Sequence, residues 1–303
     1  MAPLRSRPGH GLLRCPVCRL ELSFAANALV CRNRHSFDFA RDGYVNLLQG
    51  RRRRHPAEGG GNPAQLRHRA AFLDAGHFDA VAATIAQQMH QADAQSASRQ
   101  WHVLDAGSGT GHHLAKLAAA LPTPSVGLGL DISKQAARHA ARRWPMLAFA
   151  VADLWSEWPV RDATVDLVAS IFAPKNFGEM RRVLRRGGWL AVAYPGSEHM
   201  SELIDRFGLI RPHRDMPRHY AQMAGHFIGS PSFVRLWNRV VLDAAMVRAA
   251  VLMGPNAHHI VPSALPAGDV RHRRAVRTQT VIDVVVYSGR KRLPVPTRRC
   301  CGR

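Results

Sequence analysis

Between residues 101 and 195, apolar runs rich in β-branched side chains alternate with Ala-, Arg- and Leu-rich segments of helical period: WHVLDAG, HHLAKLAAAL, SVGLGLD, KQAARHAARRW, LAFAVAD, TVDLVASIF, FGEMRRVLR and GGWLAVAYP. Strands that are apolar on both faces need cover on both sides, and alternation with helices provides it, so the pattern predicts successive βα units on a doubly wound, mostly parallel sheet of the α/β class. Upstream, Gln65 to about Gln91 carries apolar residues at three- and four-residue steps, predicting a helical stretch broken near Gly76. Downstream, TVIDVVVYS, Thr280–Ser288, predicts a late strand at or beside a sheet edge. The stretch GRRRRHPAEGGGNP, Gly50–Pro63, has no apolar period and reads as a linker. The expected division is a small N-terminal unit over 1–49, a basic Gly-rich linker over 50–64, the α/β domain over 65–289, and a disordered basic tail over 290–303.

Charge changes this picture at the ends. Of 303 residues, 42 are Lys or Arg and 21 are Asp or Glu, a formal charge of +21. Residues 1–55 hold 11 basic against 3 acidic side chains and residues 270–303 hold 10 against 1, so the positive field sits at the two termini. Basic arms of this kind suit a polyanion, because neutralising phosphates releases counterions without any reading of base sequence. No run of about 18 apolar residues and no signal-peptide core occurs, so no membrane partner is expected and the anticipated compartment is the cytoplasm.

Three of the five cysteines fall in the first 31 residues. Cys15 and Cys18, then Cys31 and His35, form two closely spaced pairs, the donor set and spacing that a tetrahedral Zn²⁺ takes from two turns. Four protein ligands leave no open position, so the metal would be structural, and it would stabilise a unit too small to bury an adequate core. His10 competes with His35 as the fourth ligand. Cys300 and Cys301 read as inert terminal thiols.

Val103–Gly111, VLDAGSGTG, ends one strand and opens a helix. Gly107, Gly109 and Gly111 let backbone approach a ligand closely, while the carboxylate of Asp105 suits a cationic amine better than a pyrophosphate. Asp131 ends the next strand, where a carboxylate would accept ribose hydroxyls. Asp153 ends the third, placed for an adenine amino group with Ala152 and Leu154 flanking the ring. Each aspartate taken alone is also a reasonable helix cap. Three on successive strand tips point to a cationic nucleoside without phosphate, S-adenosylmethionine.

These stretches resemble the RlmA family of 23S ribosomal RNA guanine-N1 methyltransferases. The likeness rests on Cys15, Cys18, Cys31 and His35 with the HSFDFARDGYVNLL continuation, on AFLDAGHF at Ala71–Phe78, and on the DAGSGTG loop, GLDIS, IFAPK at Ile171–Lys175 and YPGSEHMSEL at Tyr194–Leu203. It covers about residues 14–204 and continues more weakly to the late strand. Ser108, Thr110 and His112–His113 depart from the usual loop, and Ile210–Met223 match poorly. The resemblance implies a Rossmann-like class I methyltransferase domain behind a zinc-binding, RNA-gripping N-terminal domain. It further implies methyl transfer to guanine N1 in a 23S rRNA hairpin, often by a homodimer. The alternatives are a methyltransferase for another RNA or a small molecule, and a non-catalytic zinc-ribbon RNA binder.

Methyl transfer is an in-line displacement that needs alignment more than acid catalysis, but guanine N1 must lose a proton. His199 and Asp42 are the candidates for a base, with no assignment made between them. Phe172, Tyr44 and Phe37 are candidate stacking surfaces for an unstacked base, or else core aromatics. Arg51–Arg54 and Arg69 are candidate phosphate contacts. Changing all four linker arginines to Ala is expected to weaken RNA binding in titrations and to flatten its salt dependence by up to about three log units per decade of salt; an unaltered slope would count against an electrostatic arm.

Overall fold

A computed structural model of the chain describes residues 7–49, 61–92, 100–121, 125–213, 216–266 and 277–292. Arg51–Arg54, Cys300, Cys301 and the tail from residue 293 lie outside these residues.

The N-terminal unit is a three-stranded antiparallel sheet, β1 (Leu22–Ala25), β2 (Ala28–Cys31) and β3 (Ser36–Asp38), followed by a short β4 (Val45–Asn46). Next come α1 (Pro63–Asp74), α2 (Asp79–Ala92), β5 (Trp101–Ala106), α3 (His112–Ala120), β6 (Ser125–Asp131), α4 (Lys134–Arg143), β7 (Ala148–Val151), β8 (Val165–Ile171), α5 (Phe177–Val183) and β9 (Leu184–Pro195). The chain continues through α6 (Ser201–Phe207), α7 (Met216–Gly225), β10 (Ile228–Leu242), α8 (Ala244–Leu252) and β11 (Thr278–Lys291).

Eight strands make the main sheet in the order β10-β11-β9-β8-β5-β6-β7-β4. β4 through β9 pair in parallel, and β11 and β10 add antiparallel on one side. Strand order advances from β5 to β6 and β7, then jumps back to β8, so the direction of winding reverses between β5 and β8. Loops leaving two such strands diverge to opposite faces and open a crevice at their carboxyl ends, where ligands bind in this architecture. The apolar strands read from the sequence are buried on both faces: Trp101 and Val103 of β5 enter one core layer, Leu104 and Ala106 the other.

The first layer is closed by α1–α4, α6 and α8. The second is closed by α5, α7 and the N-terminal unit itself: Leu12, Leu13, Cys15 and Leu29 share one core with Leu128, Ala148 and Ala150. A turn of 3-10 helix at Pro8–Leu12 lies so close to the sheet that a Cβ on Gly9 would stand 2.2 Å from the Gly127 carbonyl oxygen, which only glycine avoids. An ion-pair seam runs alongside, with Arg14 bonded to Glu157 and Asp162, and Arg182 to Asp162 and Glu179. The small unit stands where a doubly wound sheet needs cover, so its apolar face is buried without a large core of its own.

Three boundaries differ from the sequence reading. Helix α1 begins at Pro63 because Asn62 and Gln65 cap it reciprocally, each side chain accepting the other's backbone N–H. β11 runs to Lys291, past the expected start of a disordered tail, because its last residues pair with β9 and β10. β10 was not anticipated: it opens on GSPS and is exposed on much of its length, so it lacks the apolar run that marks the other strands. The late strand β11 is next to the edge, as its pattern suggests. No helix of the described residues is long and apolar enough to cross a membrane.

Candidate functional site

At the reversal of strand order lies a cavity of about 350 Å³, lined by the loop after β5 (Gly107–Thr110), the tip of β8 (Ile171, Phe172), Arg69 of α1, Phe78 in the turn before α2, and the residues after β9, His199 and Met200. Gly107 has φ +93°, and a Cβ there would stand 2.2 Å from that of Ala173, so glycine is required both by conformation and by the approach of the β8 loop. Gly109 and Gly111 are also left-handed. Gly111 precedes α3, which has no side-chain cap, and the N–H of its third residue, Leu114, is turned toward Asp105.

Asp105 is 1% exposed, and the one donor turned toward its carboxylate among the described residues is the Leu114 N–H of α3, which is not in full hydrogen-bond geometry. Burial, and then the nearby charge of Asp131, push it up to about 7. Leaving a buried carboxylate bare costs several kcal/mol, so this group needs a cationic or N–H-rich ligand. Asp131 is held differently: one oxygen accepts from Gly109 N–H at 2.9 Å, the other from Ser133 N–H at 2.8 Å. Burial raises its affinity for a proton, and the backbone donors and the charge of Arg69 oppose that. Each oxygen keeps lone-pair capacity, so the carboxylate is fixed in place yet still able to accept hydroxyl donors.

Asp153 closes its own turn, accepting from Trp155 N–H and the Ser156 hydroxyl, both at 2.9 Å. Its neighbours Ala152 and Leu154 are buried, and Leu154 stands against Gly107, its methyl 3.5 Å from where a Cβ would lie. The structure thus gathers Asp105, Gly107, Gly109, Gly111, Asp131, Ala152 and Leu154 along three adjacent strand tips, with Asp153 at the rim.

Phe78, Phe172 and His199 form an aromatic wall, ring centroids 5.0 Å apart for the two phenylalanines, 5.9 Å for Phe78–His199 and 6.0 Å for Phe172–His199. Phe172 has φ +52°, a conformation costly for a side chain with a Cβ, held where β8 ends and 39% exposed to the cavity mouth. His199 Nδ1 accepts the Asp283 N–H at 3.2 Å, and burial pulls the ring down to about 4 against the pull of the Asp283 charge. The neutral ring therefore carries its proton on Nε2 and is a donor. His113 is also neutral, pulled by burial to about 3.

Other expectations are corrected. Asp42 is not at the cavity: Arg138 and Arg142 of α4 bind its carboxylate at 2.9 and 2.5 Å, which keeps it ionised and occupied. Tyr44 and Phe37 pack against the two core layers. Arg69 is not on a phosphate-facing surface. Its Nε and Nη2 donate to the Met253 carbonyl, and it lines the cavity beside Gly109. The sequence reading passed over Phe78 as a site residue, although the AFLDAGHF segment that carries it had stood out.

At the N-terminal unit, the ligand atoms of Cys15, Cys18, Cys31 and His35 all lie within 4.8 Å of one another. Cys18–Cys31 is 3.6 Å, Cys15–His35 3.6 Å and Cys31–His35 3.4 Å, the last two through Nδ1. A tetrahedral zinc with ordinary bond lengths would set sulfurs about 3.8 Å apart and sulfur to nitrogen about 3.6 Å. The donors are therefore already spaced for the ion. Arg19, directly after Cys18, and Arg34, directly before His35, are both left-handed, and backbone N–H groups of Val17, Cys18, Asn33 and His35 reach Cys15 and Cys31. Burial pushes the Cys15 thiol up to about 11, so its thiolate form calls for a cation. His10 is excluded as the fourth ligand, being buried against Phe39 with Nδ1 accepting Arg7 N–H.

Residues 13–54 match the N-terminal zinc ribbon of RlmA, and residues 103–188 match a methyltransferase domain. A 23S rRNA (guanine-N1)-methyltransferase of Micromonospora griseorubida is 41% identical over 275 residues, covering 84% of this chain and 90% of its own. The 23S rRNA (guanine(748)-N1)-methyltransferase of Streptomyces fradiae is 39% identical over 257 residues, 84% of this chain and 88% of its own. A Bacillus subtilis relative, YxjB, which like the Micromonospora protein is named a 23S rRNA (guanine-N1)-methyltransferase with no position given, is 33% identical over 204 residues, 63% of this chain and 67% of its own.

Two outcomes follow. Cys18→Ser is expected to reduce bound zinc, read by metal analysis, from one ion per chain to a small fraction, and full retention would refute the site. Asp105 has its proton affinity raised by folding, so its ionisation destabilises the ligand-free fold as pH climbs from about 4 through about 7. Asp105→Asn is accordingly expected to melt higher than the parent at pH 8 and no higher at pH 4. The parent's affinity for S-adenosylhomocysteine should rise toward tenfold per pH unit below pH 7 and then level, a dependence the variant should lose.

Proposed function

Because the chain belongs to the RlmA family of 23S rRNA (guanine-N1)-methyltransferases, enzymes that use S-adenosylmethionine and carry a structural zinc, we propose that the cavity at the β5–β8 reversal is where a guanine of a 23S rRNA hairpin meets the cofactor. The observation that carries this reading is Asp105, a wholly buried carboxylate with no cationic partner among the described residues, beside a glycine turn that admits a ligand. The donor sets fit both groups the family uses: a carboxylate for the amino group, further acids on the next strand tips for the nucleoside, and three thiols with an imidazole at zinc spacing.

In this reading Asp105 holds the cationic amine, Asp131 the ribose hydroxyls, and Gly107, Gly109 and Gly111 the close backbone approach, with Ala152 and Leu154 against the adenine and Asp153 at its edge. When bound, S-adenosylmethionine supplies a methyl group on a positively charged sulfur. The protein's share of the chemistry is to fix the base in line and keep water out. The exposed face of Phe172, braced by Phe78, offers a surface on which an unstacked base can lie. His199 presents a proton on Nε2 and so serves as a donor toward a carbonyl oxygen rather than as the base; withdrawing charge from a guanine carbonyl eases loss of the neighbouring N1 proton.

The zinc unit over 1–49 and the basic stretch 50–64 are read as the grip on RNA, and the domain over 65–289 as the methyltransferase. Action in the cytoplasm and assembly as a homodimer accompany this reading. Incubating unmethylated 23S rRNA with protein and S-adenosylmethionine is expected to produce one new primer-extension stop at a hairpin guanine. A stop outside any hairpin, or none while the cofactor still binds, would overturn it.

A further inference from the structure

S-adenosylmethionine carries a carboxylate as well as two positive centres, and an anion brought into this cavity needs a cation to meet it. Resting on the cofactor reading above, we propose that Arg69 of α1 is the residue that binds the α-carboxylate of the cofactor's methionyl group. Two cationic side chains line the cavity among the described residues, Arg69 and Arg211. Arg211 is mostly exposed and paired with Asp205. The imidazoles of His113 and His199 are buried and neutral, so neither supplies charge.

Arg69 is held for the task by a helix end. α8 stops at Leu252, and the carbonyl of its C-cap residue, Met253, has no helical partner and lies at the negative end of the helix dipole. The guanidinium bonds this oxygen through Nε at 3.1 Å and Nη2 at 2.8 Å. That edge is thereby fixed, and Nη1 is turned toward the glycine loop, 3.3 Å from where a Cβ on Gly109 would stand. Nη1 has no hydrogen bond to any described residue. An arginine oriented by one edge with its other edge open to a cavity is pre-organised for a carboxylate, which can take two parallel N–H bonds. With Asp105 at one side of the glycine turn and Arg69 at the other, the two would hold the ammonium and carboxylate of one amino acid moiety.

The alternative is that Arg69 serves only the Asp131 charge, which it faces across Gly109. The ligand can be varied to separate the two without altering the protein. Calorimetric titration of the full chain should show S-adenosylhomocysteine binding about 10- to 100-fold more tightly than its decarboxylated analogue. In Arg69→Met that preference should vanish, while the affinity for methylthioadenosine, which lacks the amino acid altogether, falls much less, by what Asp131 loses with its neighbouring cation; the thermal melt of the variant is the check on folding. Arg69→Lys, which keeps charge but loses the fork on Met253, should recover part of the preference. Equal binding of the two ligands by the parent overturns the proposal, as does an Arg69→Met variant that loses the same factor for all three ligands, which is the result expected of a support for Asp131. A parent that binds none of the three refutes the cofactor reading itself.

Discussion

Two carboxylates are buried together at the tips of β5 and β6, and one of them has no counter-charge among the described residues. Everything near the site is arranged around that imbalance. The glycine turn hands a backbone N–H to Asp131 and none to Asp105, Arg69 lowers the proton affinity of Asp131 from beyond Gly109, and the same turn, which follows Asp105, forms part of the cavity wall. A fold optimised for stability alone would not bury such a group without a cation, since the cost of ionising it there falls on the ligand-free protein and is recovered when a cation arrives. Selection for binding explains the cost.

The second constraint is geometric. Reversal of winding between β5 and β8 creates the crevice, but its inner surface is set by contacts that leave no spare volume: Gly107 against Ala173, and Leu154 against Gly107. The strained backbone of Phe172 belongs with these, since it directs a large ring out of the β8 tip into the mouth instead of into the core. Loop chemistry therefore sits on rigid supports, which suits a reaction that requires alignment more than acid or base strength.

Much of this was legible in the sequence, for identifiable reasons. Strands buried on both faces leave unbroken apolar runs, so β5 to β9 and β11 stand out, and acids directly after such runs mark strand tips. The zinc ligands are legible because metal geometry restricts spacing along the chain. β10 was not, because an edge strand with one solvent face carries no such run. Arg69 was misjudged for a related reason. Sequence shows a cation among cations on a helix, while its burial and its bond to Met253 depend on α8 folding back from 184 residues away. Asp42 likewise looks like any loop acid until α4 brings Arg138 and Arg142 to it.

The junction of β4 and β7 ties the metal unit to the β7 side of the main sheet. Val45 and Asn46 extend the main sheet, and Leu47 donates its N–H to Val151, the residue directly before Ala152, Asp153 and Leu154. An oxidant that strips thiolates from zinc would thus slacken an outer rail of the same sheet that carries Ala152, Asp153 and Leu154 at its tip. Damage at the metal would register at the crevice without any atom there being touched.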